Sequence, residues 1–140
     1  MISVEAIINA PIEKVWELWT LPEHIINWNN ASPDWHTPYV ENNLTEGSKF
    51  KFTMALKDGS DGFDFEGIYT KIDKFSILEY KLYDNRTASV HFEIQDNQVK
   101  ITETFEPTTI ESADMEEKFC TAIIQNFKSY VENFKREINL

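Results

Sequence analysis

Residues 10–28 read APIEKVWELWTLPEHIINW, and the reading of this stretch decides the fold. Apolar residues fall at Ile12, Val15, Trp16 and Trp19, the i, i+3, i+4, i+7 spacing of one helix face. Pro11 opens that helix in the first turn, where a missing N–H is harmless. Pro22 restarts the chain, with Thr20 and Glu23 at capping-box spacing for a second short helix ending near Trp28. Two tryptophans on so short an amphipathic helix require a broad, concave apolar surface to pack against. A cupped sheet supplies one, and a cupped sheet implies a binding cavity.

On the N-terminal side, residues 2–9 read as a strand, with Ile2, Val4, Ala6 and Ile8 on one parity and Ile7 blurring the alternation. On the C-terminal side, NNASPDWHTPYVENNLTEG (29–47) is rich in Asn and Pro and reads as a long connection of the kind that is functional or mobile. From Gly47 the period becomes two. Phe50, Phe52, Met54 and Leu56 mark one strand, and DGSDG (58–62) signals a hairpin. Phe63, Phe65, Gly67 and Tyr69 mark the next. Leu78, Tyr80 and Leu82, then Ala88, Val90, Phe92 and Ile94, then Val99, Ile101, Glu103 and Phe105 mark three more, with turns at 84–85 and 95–98. Short turns between consecutive strands make an antiparallel meander.

Pro107 ends the sheet, and a helix runs from Ser112 or Asp114 to about residue 139. Its apolar stripe is Phe119, Ile123, Phe127, Val131 or Tyr130, Phe134 and Ile138. Acidic residues crowd its start, while Lys128, Lys135 and Arg136 lie toward its end, as the helix macrodipole prefers. The fold class is therefore α+β, in the order β-α-α-β5-α. A curved six-stranded antiparallel sheet wraps the long C-terminal helix, and residues 1–140 form one domain. A twisted sheet curls around the only element large enough to cover it.

Composition narrows the function. A net charge of −11 leaves no clustered Lys and Arg for a phosphate backbone, so no nucleic-acid partner is expected. Anionic membrane surfaces are disfavoured on the same ground. No apolar run approaches a membrane span and no signal-like segment opens the sequence, so no membrane insertion and a cytoplasmic location are expected. Cys120 is the one cysteine, which leaves no disulfide and no CxxC motif; it reads as a small buried residue on the last helix. His24, His36 and His91 show no metal-ligand spacing, so no metal and no cofactor are expected. Neither a P-loop, a nucleophile elbow nor a dinucleotide glycine motif is present.

The order of elements, together with the segments Asn9-Ala10-Pro11, Val15-Trp16, Trp19-Thr20, Pro22-Glu23 and Trp28, resembles the START-like helix-grip superfamily. Gly47, Asp58-Gly59, Gly67-Ile68-Tyr69 and the closing NFKSYVENF fit as well. Within that superfamily the sequence is most similar to the homologues of the C-terminal domain of the heat-shock-protein-90 ATPase activator. The resemblance covers essentially the whole chain and implies a helix-grip container. For activity it implies a range, from lipid and hormone carriers to cyclases and co-chaperone domains. The full co-chaperone carries a further N-terminal domain by that resemblance. Many relatives hold a Gly-Trp pair early in the last helix, where this sequence has Phe119-Cys120.

Glu103 is the sharpest candidate. It takes the apolar parity of its strand, between Ile101 and Phe105, and so faces the concave side. A buried carboxylate there serves as a ligand's polar anchor or as a general acid/base; otherwise the strand bulges, or Glu103 reaches water or a lysine at the open end. His36, in Asp34-Trp35-His36, either rims the cavity mouth as a partner for Glu103 or is a solvated loop residue. His91 has the wet parity of its strand. Trp28, Trp35 and Tyr39 are candidates for an aromatic gate, although Trp28 also suits a core plug. Phe52, Phe65, Tyr69, Tyr80, Phe92, Phe119 and Ile123 are the expected ligand-facing residues. Three functions follow. The first is binding of a small, largely apolar ligand without catalysis, or with weak catalysis; the second is a cyclase- or hydrolase-type enzyme using Glu103. The third is a co-chaperone-like domain binding a protein partner. The chain itself is expected to be a monomer or weak dimer.

Overall fold

Strand β1 (Ile2–Ile8) buries Val4, Ala6 and Ile8 and turns Ser3, Glu5 and Ile7 outward, so Ile7 is a surface residue. This and the following description come from a computed structural model that describes residues 1–134. Helix α1 (Ile12–Thr20) starts after Pro11, which occupies the N-cap rather than the first turn. It buries Val15, Trp16 and Leu18. Helix α2 (Pro22–Trp28) follows at once, with Pro22 at its start and Leu21 as N-cap. Thr20 does not cap it. Its hydroxyl donates back to the Trp16 carbonyl at 2.8 Å, the local hydrogen bond that threonine offers when it ends a helix. The Trp28 indole N–H donates to the Leu18 carbonyl at 2.8 Å and locks the two helices together.

The segment 29–47 is not one long connection. It contains β2 (Trp35–Asn42), paired antiparallel with β3 (Lys49–Leu56) and irregular between His36 and Tyr39. Pro38 lies at that irregularity, and a residue without an N–H is tolerated where the ladder breaks on an edge strand. Proline and short polar runs made this strand read as loop. The sheet therefore has seven strands instead of six.

The others are β4 (Gly62–Asp73), β5 (Ile77–Leu82), β6 (Thr87–Gln95) and β7 (Gln98–Phe105), in the spatial order β1-β7-β6-β5-β4-β3-β2, antiparallel throughout. β1 adds to the far edge of the meander, so α1 and α2 carry the chain from one edge of the cup to the other. Gly67 permits the floor to be dense: a side chain there would meet the Lys81 carbonyl at 2.5 Å and the Phe50 ring at 3.0 Å.

Helix α3 (Ala113–Asn133) lies across the concave face beside β1. It ends at Asn133, and the expected contributions of Lys135, Arg136 and Ile138 fall outside the described residues. Its second half is pinned. Lys128 donates to the Ile7 carbonyl at 2.6 Å, Glu132 accepts from the Asn9 N–H at 2.8 Å, and Asn126 donates to the Trp28 carbonyl at 2.8 Å. Ile124, Phe127 and Val131 are fully buried there.

Candidate functional site

The packing changes along α3. Around its second half, Phe127 fits edge-on against Trp19 and Trp28 with ring centres 4.8 and 4.7 Å away, and the two indoles stack at 4.8 Å. Around its first half, rings on both surfaces hold helix and sheet apart and leave a cavity of about 450 Å³. Phe50 forms its floor, with Phe52, Phe65, Tyr69 and Tyr80 at 5.0–5.6 Å around it. Met115, Phe119, Cys120 and Ile123 of α3 form the roof, and Trp19 and Trp28 close the inner end.

Few polar groups reach this wall, and they differ in whether they are already bonded. The Tyr69 hydroxyl donates to the Asn42 side-chain oxygen at 2.5 Å, and Asn42 in turn donates to the Thr20 carbonyl at 2.7 Å. Arg86, from the β5–β6 turn, donates to Asp84 at 2.7 Å and to the Glu106 carbonyl at 3.3 Å, and lies 3.7 Å from Glu116. Burial pushes the Glu116 carboxyl up, but hydrogen bonds from Ser112 and Thr108 outweigh it and hold the group below its ordinary value. Glu103 and Tyr80 have no such partners: among the described residues, no hydrogen bond or ion pair reaches the Glu103 carboxylate or the Tyr80 hydroxyl. Neither is sealed in packed atoms, since both border the hollow.

Register explains their placement. Leu78, Val90, Glu103 and Val4 form one cross-strand row on the concave face. Tyr80, Ala88, Phe105 and Ile2 form the adjacent row. The small Ala88 leaves room between Tyr80 and Phe105. Burial raises the Glu103 carboxyl to about 7. It also raises the Tyr80 hydroxyl, with the neighbouring Glu103 and Cys120 adding to the effect and Arg86 opposing it. The Cys120 thiol is pushed up by burial first and by Glu103 and Glu116 next, so it stays protonated.

Of the residues singled out from the sequence, Trp28, Phe52, Phe65, Tyr69, Tyr80, Glu103, Phe119 and Ile123 come together in the cavity wall. Trp35 stands behind it, edge-on to Phe63 at 5.9 Å and to Phe119 at 6.1 Å. Three placements are corrected. Phe92 packs on Trp16 at 5.1 Å and on Trp19 at 6.0 Å, in the filled part of the core. Strand parity gives its face but not its distance along the strand. Tyr39 is exposed on the edge strand, where its hydroxyl donates to Glu41. His36 sits opposite Ala55 on that same edge, outside the wall and away from Glu103. His91 is exposed. His24 bonds through Nδ1 to the Tyr130 hydroxyl at 2.8 Å. Sequence reasoning missed Arg86, Glu116 and Thr108, which gather at the mouth from a turn, a helix start and a linker. No periodic pattern marks residues of that kind. Among the described residues no group of three His, Cys, Asp or Glu could hold a metal ion, and no helix is long and apolar enough to cross a membrane.

Residues 9–139 match the family described as Activator of Hsp90 ATPase homolog 1-like protein. The chain belongs to this family. The family is part of the START-like helix-grip superfamily, in agreement with the curved sheet and long terminal helix. The chain is similar to the AHSA1-like protein from Aeromonas hydrophila solved by NMR, at 36% identity and a TM-score of 0.86 over 98% of this chain and 99% of that one. A solution structure from Cytophaga hutchinsonii shares 40% identity at a TM-score of 0.82, over 94% of this chain and 92% of the other. A crystal structure from Nitrosomonas europaea, at 16% identity and a TM-score of 0.79 over 94% and 93%, shares the fold. No curated protein matches the chain.

Proposed function

We propose that this family member binds a small, largely apolar molecule in the cavity beneath the first half of α3, and that it holds the molecule without transforming it. One observation carries the reading: a hollow of about 450 Å³, walled mainly by aromatic and aliphatic side chains, contains a carboxyl and a hydroxyl with no protein partner. Pockets that bind small molecules have this composition, an apolar wall with a few convergent polar groups that fix orientation. Unpartnered polar groups are costly inside a protein, so a ligand able to bond to Glu103 and Tyr80 gains what the empty fold forgoes. The cyclase or hydrolase alternative pairs Glu103 with a second titratable group, His36 or a tyrosine, within hydrogen-bond reach. No hydrogen bond joins Glu103 to one among the described residues, which favours binding over the cyclase or hydrolase alternative. The family's description names an ATPase activator, but the feature that carries the reading here is an interior one.

Native mass spectrometry tests this reading on the protein purified from its own source. The wild-type protein is expected to carry a small molecule. Ala88→Leu, which extends a side chain into the hollow between Tyr80 and Phe105, is expected to lose it while keeping the circular dichroism of the wild type. A folded Ala88→Leu protein that retains the same molecule undiminished places the ligand elsewhere.

A further inference from the structure

We propose that the ligand is an amphiphilic cation, an apolar molecule ending in a protonated amine that sits against Glu103, and that carboxylated apolar molecules are excluded. The proposal rests on the cavity-binding reading and adds the chemistry of the polar end.

The argument starts from charge in the wall. The wall contains four carboxylates, Glu103 from β7, Asp64 and Glu66 from β4 and Glu116 from α3, against one guanidinium, that of Arg86. Arg86 is not free to receive an anion, because Asp84, Glu116 and the Glu106 carbonyl already surround it. Tyr69, Tyr80, Tyr83 and Cys120 complete the titratable groups in the wall, and none of them supplies positive charge. Asp64 is engaged at the surface by Lys51 at 3.6 Å and by the Thr53 hydroxyl at 2.8 Å. Glu66 shares the parity of Asp64 and stands opposite Lys51 in the ladder, which leaves Glu103, in the concave row with Val90 and Val4, as the inner carboxylate without a counter-ion. The protein's own net charge of −11 adds to the same field.

A carboxylated ligand would enter this field with no cation to meet it. A neutral alcohol or ketone would gain hydrogen bonds to Glu103 and Tyr80. An ammonium gains those and an ion pair in a hollow walled mainly by apolar side chains, and charge-assisted hydrogen bonds are about twice as strong as neutral ones. The pH dependence separates the cases. An ammonium requires ionised Glu103, so its binding strengthens as pH rises through about 7, the value to which burial pushes that carboxyl. A carbonyl ligand accepting from protonated Glu103 would weaken over the same interval.

Isothermal titration of the full chain with octylamine, 1-octanol and octanoate tests this, at about pH 8 and about pH 6, in the wild type and in Glu103→Gln. Octylamine is expected to bind the wild type roughly tenfold or more tighter than 1-octanol at the higher pH, since one pK unit of differential interaction is a factor of ten. Its advantage shrinks at the lower pH, octanoate does not bind, and Glu103→Gln binds amine and alcohol alike. The proposal is overturned if 1-octanol binds the wild type as well as octylamine does, or if octanoate binds. It is equally overturned if Glu103→Gln keeps the preference for amine, which would then come from surface charge. If that variant does not fold, the pH dependence of the wild type decides alone. Binding by none of the three removes the cavity reading as well, whereas binding of the alcohol without preference for the amine removes only this proposal.

Discussion

Glu103 carries a cost that depends on pH, and the sign follows from its burial. Its carboxyl is raised to about 7 in the fold, against an ordinary value of 4.5. Below the ordinary value the group is protonated whether the chain is folded or not, and there is no cost. Between the two values the unfolded chain releases the proton and the folded chain keeps it, so stability falls as pH rises, and above about 7 the loss is complete. At full size it amounts to about 3 kcal/mol. Glu103→Gln is therefore expected to raise the urea midpoint at about pH 8 and to leave it nearly unchanged at about pH 4. An equal shift at both pH values would show that the carboxylate is solvated in the fold. Glu116 has the opposite sign. Held below its ordinary value by Ser112 and Thr108, it contributes stability above that value and loses it as the solution turns acid.

At the scale of elements, α3 joins a packed half to an open one. Phe127 is fully buried among Trp19, Trp28 and its helix neighbours, and Phe127→Ala is expected to cost about 3–5 kcal/mol. Phe119 borders the hollow and is only partly buried, so Phe119→Ala removes fewer contacts and is expected to cost less than half as much. Urea denaturation of the two variants makes the comparison, and equal losses would mean that the first half of the helix is packed as tightly as the second. The same division shows what was legible in the chain. Period-two runs such as Phe50 to Leu56 and the 3.6-period stripe of α3 gave the elements and their inner faces, because burial on one face leaves a pattern. The edge strand at Trp35–Asn42 was not legible, since Pro38 and the polar residues around it belong to a strand with one partner. Phe92 and Tyr80 share a face in sequence terms, yet one lies under Trp16 and the other beside the hollow. Which half of a face is filled depends on the helix above it, and no single strand records that. Arg86 was invisible for a related reason: it acts through the turn that delivers it to Glu116.

The whole molecule carries 24 acidic side chains against 13 basic ones. Such an excess repels itself in the compact state more than in the expanded one. Screening should therefore stabilise the fold, and the thermal midpoint is expected to rise between about 0.01 M and about 0.15 M sodium chloride, over which the Debye length falls from about 30 Å to about 8 Å. A midpoint that falls over this range would mean that the surface pairs, such as Lys128 with Glu132, matter more than the net charge. The hollow beneath α3 has a consequence of another sort. Interior space that holds no protein atoms disappears when a chain unfolds, so the unfolded chain takes up less volume than the folded one. Whatever part of the 450 Å³ the apolar wall keeps free of water is such space, and compression works against the empty form of this protein in proportion to it. A molecule seated there takes the place of that space, and so confers resistance to hydrostatic pressure along with its contacts.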